Sequence, residues 1–311
     1  MTISRVLFLV VPTLFGGLVP AGGQTIDVFF LAGQSNADGS NSYYFNNGDP
    51  SKGSGLSAAN SSYATPYGGI TYAYAHANPS DSNMRYLTGG LGNLRPATWG
   101  MMGPEISLGR ELDTLIDNQV ALIKYTSPGT SLNTQWGPDD NLLFPDMVDF
   151  FETQINILSQ SYTEVRLNTF FWHQGESDSG LTYGTDFRQM FDQLKVELGA
   201  PGLNAVMGLV SESFDPGNTG NTPRSNIVAV NGMINLLDAS YSDIATTGSL
   251  TDIPLHDNVH FDANGQIIHG QRMALAFKGN FLAVPEPGSA ALILVGAVAS
   301  CLRRRRTVGR A

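Results

Sequence analysis

Three residues in this chain have the types and surroundings to do chemistry together: Ser35, Asp257 and His260. The apolar run Asp27-Val28-Phe29-Phe30-Leu31-Ala32 breaks at Gly33-Gln34-Ser35-Asn36. A short β-branched and aromatic run closed by glycine reads as a buried strand. Ser35 then stands at the carboxyl edge of a sheet, where open α/β sheets take their ligands. Gly33 permits a tight turn, and a helix beginning just after it would leave backbone N–H groups beside the hydroxyl, able to receive an anion. Downstream, Asp257-Asn258-Val259-His260-Phe261 sets an acid and an imidazole three residues apart in a turn. The carboxylate can then hold one ring nitrogen while the other faces out as a base. Taken singly, each residue also passes for a turn, cap or core residue. Taken together they supply a nucleophile, a general base and an orienting carboxylate, the parts of nucleophilic attack on an acyl carbon. The order Ser, Asp, His is that of α/β-hydrolases, but the Gly-x-Ser-x-Gly elbow of that fold is absent.

The elements that must position these residues alternate. Pro104 and Glu105 open a helix whose apolar positions are Ile106, Leu108, Leu112, Leu115 and Ile116, and a strand over 119–125 follows. The loop Ser127-Pro128-Gly129-Thr130-Ser131-Leu132 closes that strand, and backbone amides can converge in it. Further on, the pattern predicts helices at about 146–159, 183–198, 227–237 and 266–282, with strands at 165–172 and 205–210. Such alternation predicts an α/β chain, a three-layer α/β/α sandwich with a mostly parallel central sheet. Residues 40–98, rich in Gly, Ser, Asn and Tyr and of little periodicity, are expected to form a surface insertion. Its Tyr43, Tyr44, Tyr63, Tyr67, Tyr72 and Tyr74 can line a cleft for a sugar.

A length of 311 residues accommodates one large domain, and a net charge of -10 argues against affinity for nucleic acid, the more so because four basic residues form one run at Arg303 to Arg306. The single cysteine, Cys301, excludes a disulfide framework and a thiolate metal cluster. His173 and His256 belong to no spaced set of three ligands, so neither a metal nor a cofactor is expected.

Both ends read as targeting segments. Residues 1–23 carry Arg5, an apolar run and a small-residue ending at Ala21-Gly22-Gly23, the parts of a secretory signal peptide. At the other end, residues 284–311 hold Val284-Pro285-Glu286-Pro287, an apolar stretch from Ala290 to Leu302 and the arginine cluster. This tail resembles the PEP-CTERM signal of bacteria that export proteins into extracellular matrix. The resemblance implies transient membrane association, processing by a sorting transpeptidase and an exported or cell-surface protein. One domain, 24–283, lies between the two ends.

Gly33-Gln34-Ser35-Asn36, the Gly129-Thr130-Ser131-Leu132 loop with Trp136 after it, Trp172-His173-Gln174-Gly175-Glu176-Ser177-Asp178 and Asp257-Asn258-Val259-His260-Phe261 stand in the order seen in the SGNH hydrolases. They are similar to the branch that holds sialate O-acetylesterases and the carbohydrate esterase family six acetylxylan esterases. The resemblance implies Ser35 as nucleophile, His260 as base and then acid, and Asp257 as the orienting carboxylate. For the oxyanion it implies the backbone N–H groups of Ser35 and Gly129 and the side-chain amide of Gln174. One departure is Pro128, which stands where related sequences usually carry a second glycine and which has no N–H to offer. Glu176 and Asp178, two residues apart after a strand, can be read as a glycosidase acid/base pair. Glu176 reads better as support for the Gly-Gln-Ser-Asn loop through charge-assisted hydrogen bonds. The expected function is a secreted serine esterase that deacetylates O-acetylated glycans through an acyl-enzyme, with xylan-type polysaccharide or O-acetyl sialic acid as substrate. The contrasting reading is a polysaccharide-binding matrix protein without activity.

Overall fold

In the computed structural model the described residues are 24–45, 55–78, 85–96, 100–139, 143–213 and 225–282. The signal-peptide and sorting-tail readings therefore fall outside them.

The element on which the rest is laid down is β1 (Thr25–Gly33), whose residues from Ile26 onward are all buried. A strand covered on both faces must be apolar on both, which is why Val28-Phe29-Phe30-Leu31-Ala32 shows no polar alternation. Period-two geometry still sorts the side chains. Ile26, Val28, Phe30 and Ala32 join the core on one face of the sheet, while Phe29 and Leu31 join the core on the other.

Around it run β2 (Tyr67–Ala77), β3 (Arg85–Leu94), β4 (Gln119–Thr126), β5 (Glu164–His173), β6 (Asn204–Met207) and β7 (Ile244–Thr246). The sheet order is β3-β2-β4-β1-β5-β6-β7. All neighbours are parallel except the antiparallel β2–β3 pair. The helices are α1 (Ser35–Asp38), α2 (Glu105–Leu115), α3 (Leu143–Leu158), α4 (Tyr183–Glu197), α5 (Ser225–Ser240) and α6 (Ala263–Asn280). Apolar stripes of α3, α4 and α5 cover the Phe30 face, and those of α2 and α6 cover the Phe29 face. This is the α/β/α sandwich, with right-handed βαβ logic placing the loops that follow β4, β1 and β5 side by side at one edge. Among the described residues no helix is long and apolar enough to cross a membrane.

The expectation for 40–98 needs correction. The segment is not one surface loop, because β2 and β3 lie within it as sheet strands and β2 sits between β3 and β4. Large residues on one face of β2 (Ile70, Tyr72, Tyr74) alternate with alanines on the other (Ala73, Ala75, Ala77), and all six are buried. Alanine and tyrosine carry a weak strand signal, and the surrounding glycines weaken it further. Tyr72 and Tyr74 are accordingly core residues, not a sugar platform. Tyr63 and Tyr67 stack on the Arg110 guanidinium at 4.7 and 5.0 Å. The strand at the end of the sheet, β7, has only three residues, too few to leave a periodic pattern.

The turn out of β1 depends on Gly33, whose φ is 140°. A Cβ built there would stand 1.9 Å from the His173 carbonyl oxygen on the neighbouring strand. Gly33→Ala is expected to cost roughly 3 kcal/mol or more, read as a loss of unfolding free energy in a denaturant titration. An alanine variant as stable as the parent would contradict this packing.

Candidate active site

The Gly33 crossing also fixes where Ser35 goes. The sheet ladder continues on both sides of the turn, with Gln34 N–H donating to the His173 carbonyl at 3.1 Å and Ser127 N–H donating to the Gly33 carbonyl at 2.9 Å. The chain then coils into α1, which Gly39 ends in a left-handed conformation, donating its N–H to the Ser35 carbonyl at 2.9 Å. Ser35 is the first residue of that turn, 6% exposed. No hydrogen bond of its hydroxyl is formed among the described residues.

The two neighbours of Ser35 are held by one carboxylate. Glu176 Oε2 accepts from Gln34 Nε2, and Glu176 Oε1 accepts from Asn36 Nδ2 at 2.7 Å. His173 Nε2 lies 3.2 Å from the same Oε1 and must donate to it, since an ionised carboxylate only accepts. Burial by itself pushes the Glu176 carboxyl up. The adjacent His173 and the Asn36 amide outweigh it and bring it down to about 2. Ser177 Oγ closes the set by donating to Gln34 Oε1 at 3.0 Å.

Asn36 carries this anchoring to the histidine. Its Nδ2 also donates to the Val259 carbonyl at 3.1 Å, and its Oδ1 accepts from Phe261 N–H at 3.0 Å. The residues on either side of His260 are thus pinned to the residue after Ser35. Within that loop, His256 N–H donates to the His260 carbonyl at 2.8 Å and Asp262 N–H to the Pro254 carbonyl at 3.0 Å, a closed turn from which the imidazole projects. Asp257 Oδ1 accepts the backbone N–H groups of Val259 and His260, each at 2.7 Å. Asp257 Oδ2 lies 2.9 Å from His260 Nδ1. Partial burial pushes the Asp257 carboxyl up, and the donors from His260 and Val259 bring it down to about 2. It is ionised at neutral pH, so the ring hydrogen sits on Nδ1 and Nε2 is the basic nitrogen. The structure therefore brings Asp257 and His260 into contact and ties them to the Ser35 turn. A hydrogen bond from Ser35 Oγ to His260 is not among those it forms, and such bonds commonly close only with substrate in place.

Gly129, three residues beyond the end of β4, has a φ of 71°, and a Cβ built there would meet nothing within 4 Å. Its N–H makes no backbone hydrogen bond among the described residues. Gln174 follows β5 directly, beside the loop that carries Gly129. It is fully buried, and its Nε2 donates both to the Thr130 carbonyl at 3.0 Å and to Asp178 Oδ2. An amide nitrogen has two hydrogens, so neither remains for an oxyanion in this arrangement. Instead Gln174 holds the loop on which Gly129 sits. Asp178 holds the same loop, accepting Leu132 N–H at 3.1 Å on both oxygens and Ser131 Oγ at 3.2 Å. Trp136 completes it, donating from Nε1 to Thr130 Oγ1 at 2.9 Å. With Glu176 and Asp178 both spent on loops, the pair is not poised as a glycosidase acid and base.

Sequence reasoning missed a buried polar cluster behind the Ser35 turn. Asp38 accepts from Tyr74, from Thr126 Oγ1 at 2.7 Å and from His76 Nδ1 at 3.0 Å. Burial pushes its carboxyl up, but the His76 hydrogen bond and the Lys124 charge hold it below the usual carboxylate range. Lys124 donates to the Asp38 carbonyl at 2.8 Å and to Glu105 Oε2 at 2.6 Å, with its side chain 1% exposed. The available signal was Lys124 itself, a charge inside an otherwise apolar strand, which demands a buried partner.

The family model described as carbohydrate esterase, sialic acid-specific acetylesterase, matches residues 25–279. No curated protein matches the chain. Among solved structures, a protein from Arabidopsis thaliana is similar at a TM-score of 0.60 and 18% identity, covering 82% of this chain and 98% of that one. NanS is similar at 0.56 and 15% identity, with 83% and 98% covered. A carbohydrate acetylesterase from Xanthomonas citri is similar at 0.56 and 14% identity, covering 82% of this chain and 56% of the other. At these identities the likeness is one of fold.

The clamp at Glu176 makes a pH-dependent prediction. Its carboxyl lies at about 2 in the fold against an ordinary 4.5. The stabilisation is therefore fully present above the ordinary value and is lost as pH falls toward the lower one. Unfolding free energies measured between pH 6 and pH 2.5 should fall less steeply for Glu176→Gln than for the parent; identical slopes would show that Glu176 carries no such load.

Proposed function

Because the chain belongs to the carbohydrate esterase, sialic acid-specific acetylesterase family, we propose that Ser35, His260 and Asp257 remove acetyl groups from an O-acetylated glycan through an acetyl-enzyme. As a member of that family the protein is a carboxylic ester hydrolase acting on acetylated carbohydrate. The observation that carries the residue assignment is the Asp257–His260 contact at 2.9 Å, in a loop that Asn36 pins beside Ser35.

In this reading Ser35 Oγ attacks the acetyl carbon while His260 Nε2 takes its proton. Asp257 stabilises the imidazolium that forms. The oxyanion is received by the N–H groups of Ser35 and Gly129, each such donor worth about 3 kcal/mol in the transition state. Collapse expels the sugar oxygen, which His260 protonates, leaving acetyl-Ser35. Water, deprotonated by His260, then releases acetate and restores the hydroxyl.

Charge favours a neutral acetylated sugar over a sialic acid. Among the described residues, the hydrogen bonds and ion pairs of the 257–261 loop and the Ser35 turn involve no arginine and no lysine but Lys124, which is already paired with Glu105. The chain as a whole carries -10. A sialic acid would bring its own carboxylate into this field. The segments Val284-Pro285-Glu286-Pro287 and Arg303 to Arg306, outside the described residues, support export, with the tail sorted and cut.

Acetate release from acetylated xylan-type polysaccharide and from O-acetyl sialic acid tests the reading. The first is expected to be the better substrate, and reversal of that order would restore the sialate reading. Ser35→Ala is expected to lower turnover at least about a thousandfold, and His260→Ala plus Asp257→Asn to cost far less than the product of their separate losses. A folded protein that binds polysaccharide without releasing acetate would instead be the inactive matrix protein.

A further inference from the structure

Outside the residues assigned above, one position combines backbone strain with a side chain aimed at them. Asn41 is the only non-glycine residue with positive φ among the described residues, at 61°. The left-handed region costs most residues about 1 kcal/mol or more, and asparagine tolerates it better than others. Glycine would fit that backbone at no cost, so what the strain retains is a side chain.

The turn carrying Asn41 is strapped on both sides. Ser42 N–H donates to the Gly39 carbonyl at 3.2 Å, and Ser42 Oγ lies within reach of the carbonyls of Gly39 and Met102, its one hydrogen shared between them. Met102 N–H returns to the Ser42 carbonyl at 3.1 Å, Tyr44 N–H donates to the Gly100 carbonyl at 3.0 Å, and Asn41 N–H points at Met101 Sδ at 3.2 Å. The Cα of Asn41 is thereby fixed. From it, Nδ2 reaches Asp257 Oδ2 at 3.3 Å and comes equally close to His260 Nδ1.

Only one of those two approaches is a hydrogen bond. His260 Nδ1 carries a hydrogen toward Asp257 and cannot accept another. The Asn41 amide therefore donates to Asp257 Oδ2, the oxygen that receives the His260 ring. The other oxygen, Oδ1, is taken by two backbone N–H groups. Without Asn41, Oδ2 would be held by the imidazole alone, in a carboxylate whose side chain is 39% exposed. Water would compete for it and the carboxylate would rotate about its last bond.

We infer that Asn41 is a positioning residue: from a left-handed turn it donates to Asp257 Oδ2 and keeps that oxygen in line with His260 Nδ1. This rests on the reading of Asp257 and His260 as the acid–base pair of the reaction. Through Asn41, the loop after α1 completes an arrangement that the 257–261 loop begins.

The test compares Asn41→Gly, Asn41→Asp and Asp257→Ala with the parent. Glycine relieves the backbone, so Asn41→Gly should melt no lower than the parent. Its kcat should nonetheless fall about tenfold, the worth of one hydrogen bond, with KM little changed. The downfield proton resonance of His260 Nδ1–H, visible in the parent, should broaden or vanish. Asn41→Asp keeps the turn and replaces a donor with an acceptor, and should lose at least as much. Parent-like kcat and an intact resonance in Asn41→Gly, while Asp257→Ala is inactive, would overturn the assignment to Asn41 alone. Parent-like activity in Asp257→Ala would instead overturn the acid–base reading on which it rests.

Discussion

The buried carboxylate of Glu176 is the constraint on which the site depends. An ionised acid inside a protein is tolerable only if donors saturate it, and here Gln34, Asn36 and His173 do so. Two of the three donors flank Ser35. Their side chains turn inward to the same anion, which leaves the serine between them facing another way. Because Asn36 spends its second hydrogen and its oxygen on the backbone around His260, one charge fixes the Ser35 turn and the 257–261 loop, the two halves of the proposed catalytic arrangement, relative to each other. Removing the charge would leave three buried donors orphaned, each at a cost of about 1–3 kcal/mol.

What makes this arrangement possible is sheet order. With β1 between β4 and β5, the loops that leave the three strands emerge side by side, carrying Ser35, Gly129 and the Gln174–Asp178 segment. The polar chemistry gathers at the carboxyl ends of the strands, from Tyr74, Lys124 and His173 outward. Below it, aromatic packing such as Trp136 against Trp172, 5.0 Å apart at 90°, sets the loops on a rigid base. The buried Lys124–Glu105 pair and Asp38 form the support on the other side of the Ser35 turn. The result is a site built from loops anchored at strand ends, by charge-assisted bonds at Glu176 and Asp178 and by neutral ones from Asn36 and Trp136, so little of its geometry is left to loop entropy.

How much of this was legible follows from what kind of signal each part leaves. The parallel core was legible at β1 and β5 because strands buried on both faces are apolar runs with abrupt polar ends. The β2–β3 hairpin was not, because Tyr72 and Tyr74 alternate with alanines, which gives ambiguous propensity, and because its face is set by packing against β4. Ser35, Asp257 and His260 were legible as types in order. The use Gln174 makes of its hydrogens was not, since a motif names an amide without saying which acceptors surround it. Asn41 was invisible for a related reason: its contact lies 216 positions away, and asparagine is permissive of a left-handed backbone without requiring one.

The central claim is that Ser35 is made nucleophilic by a histidine held in this frame. Reaction with a fluorophosphonate ester, followed by peptide mapping in a mass spectrometer, tests it most directly. The account predicts a single covalent adduct on the peptide carrying Ser35 in the parent protein, formed many-fold more slowly in a folded His260→Ala variant. Stoichiometric labelling of another residue, or an unmodified Ser35 in a protein that hydrolyses acetyl esters and is inactivated by the reagent, would contradict it.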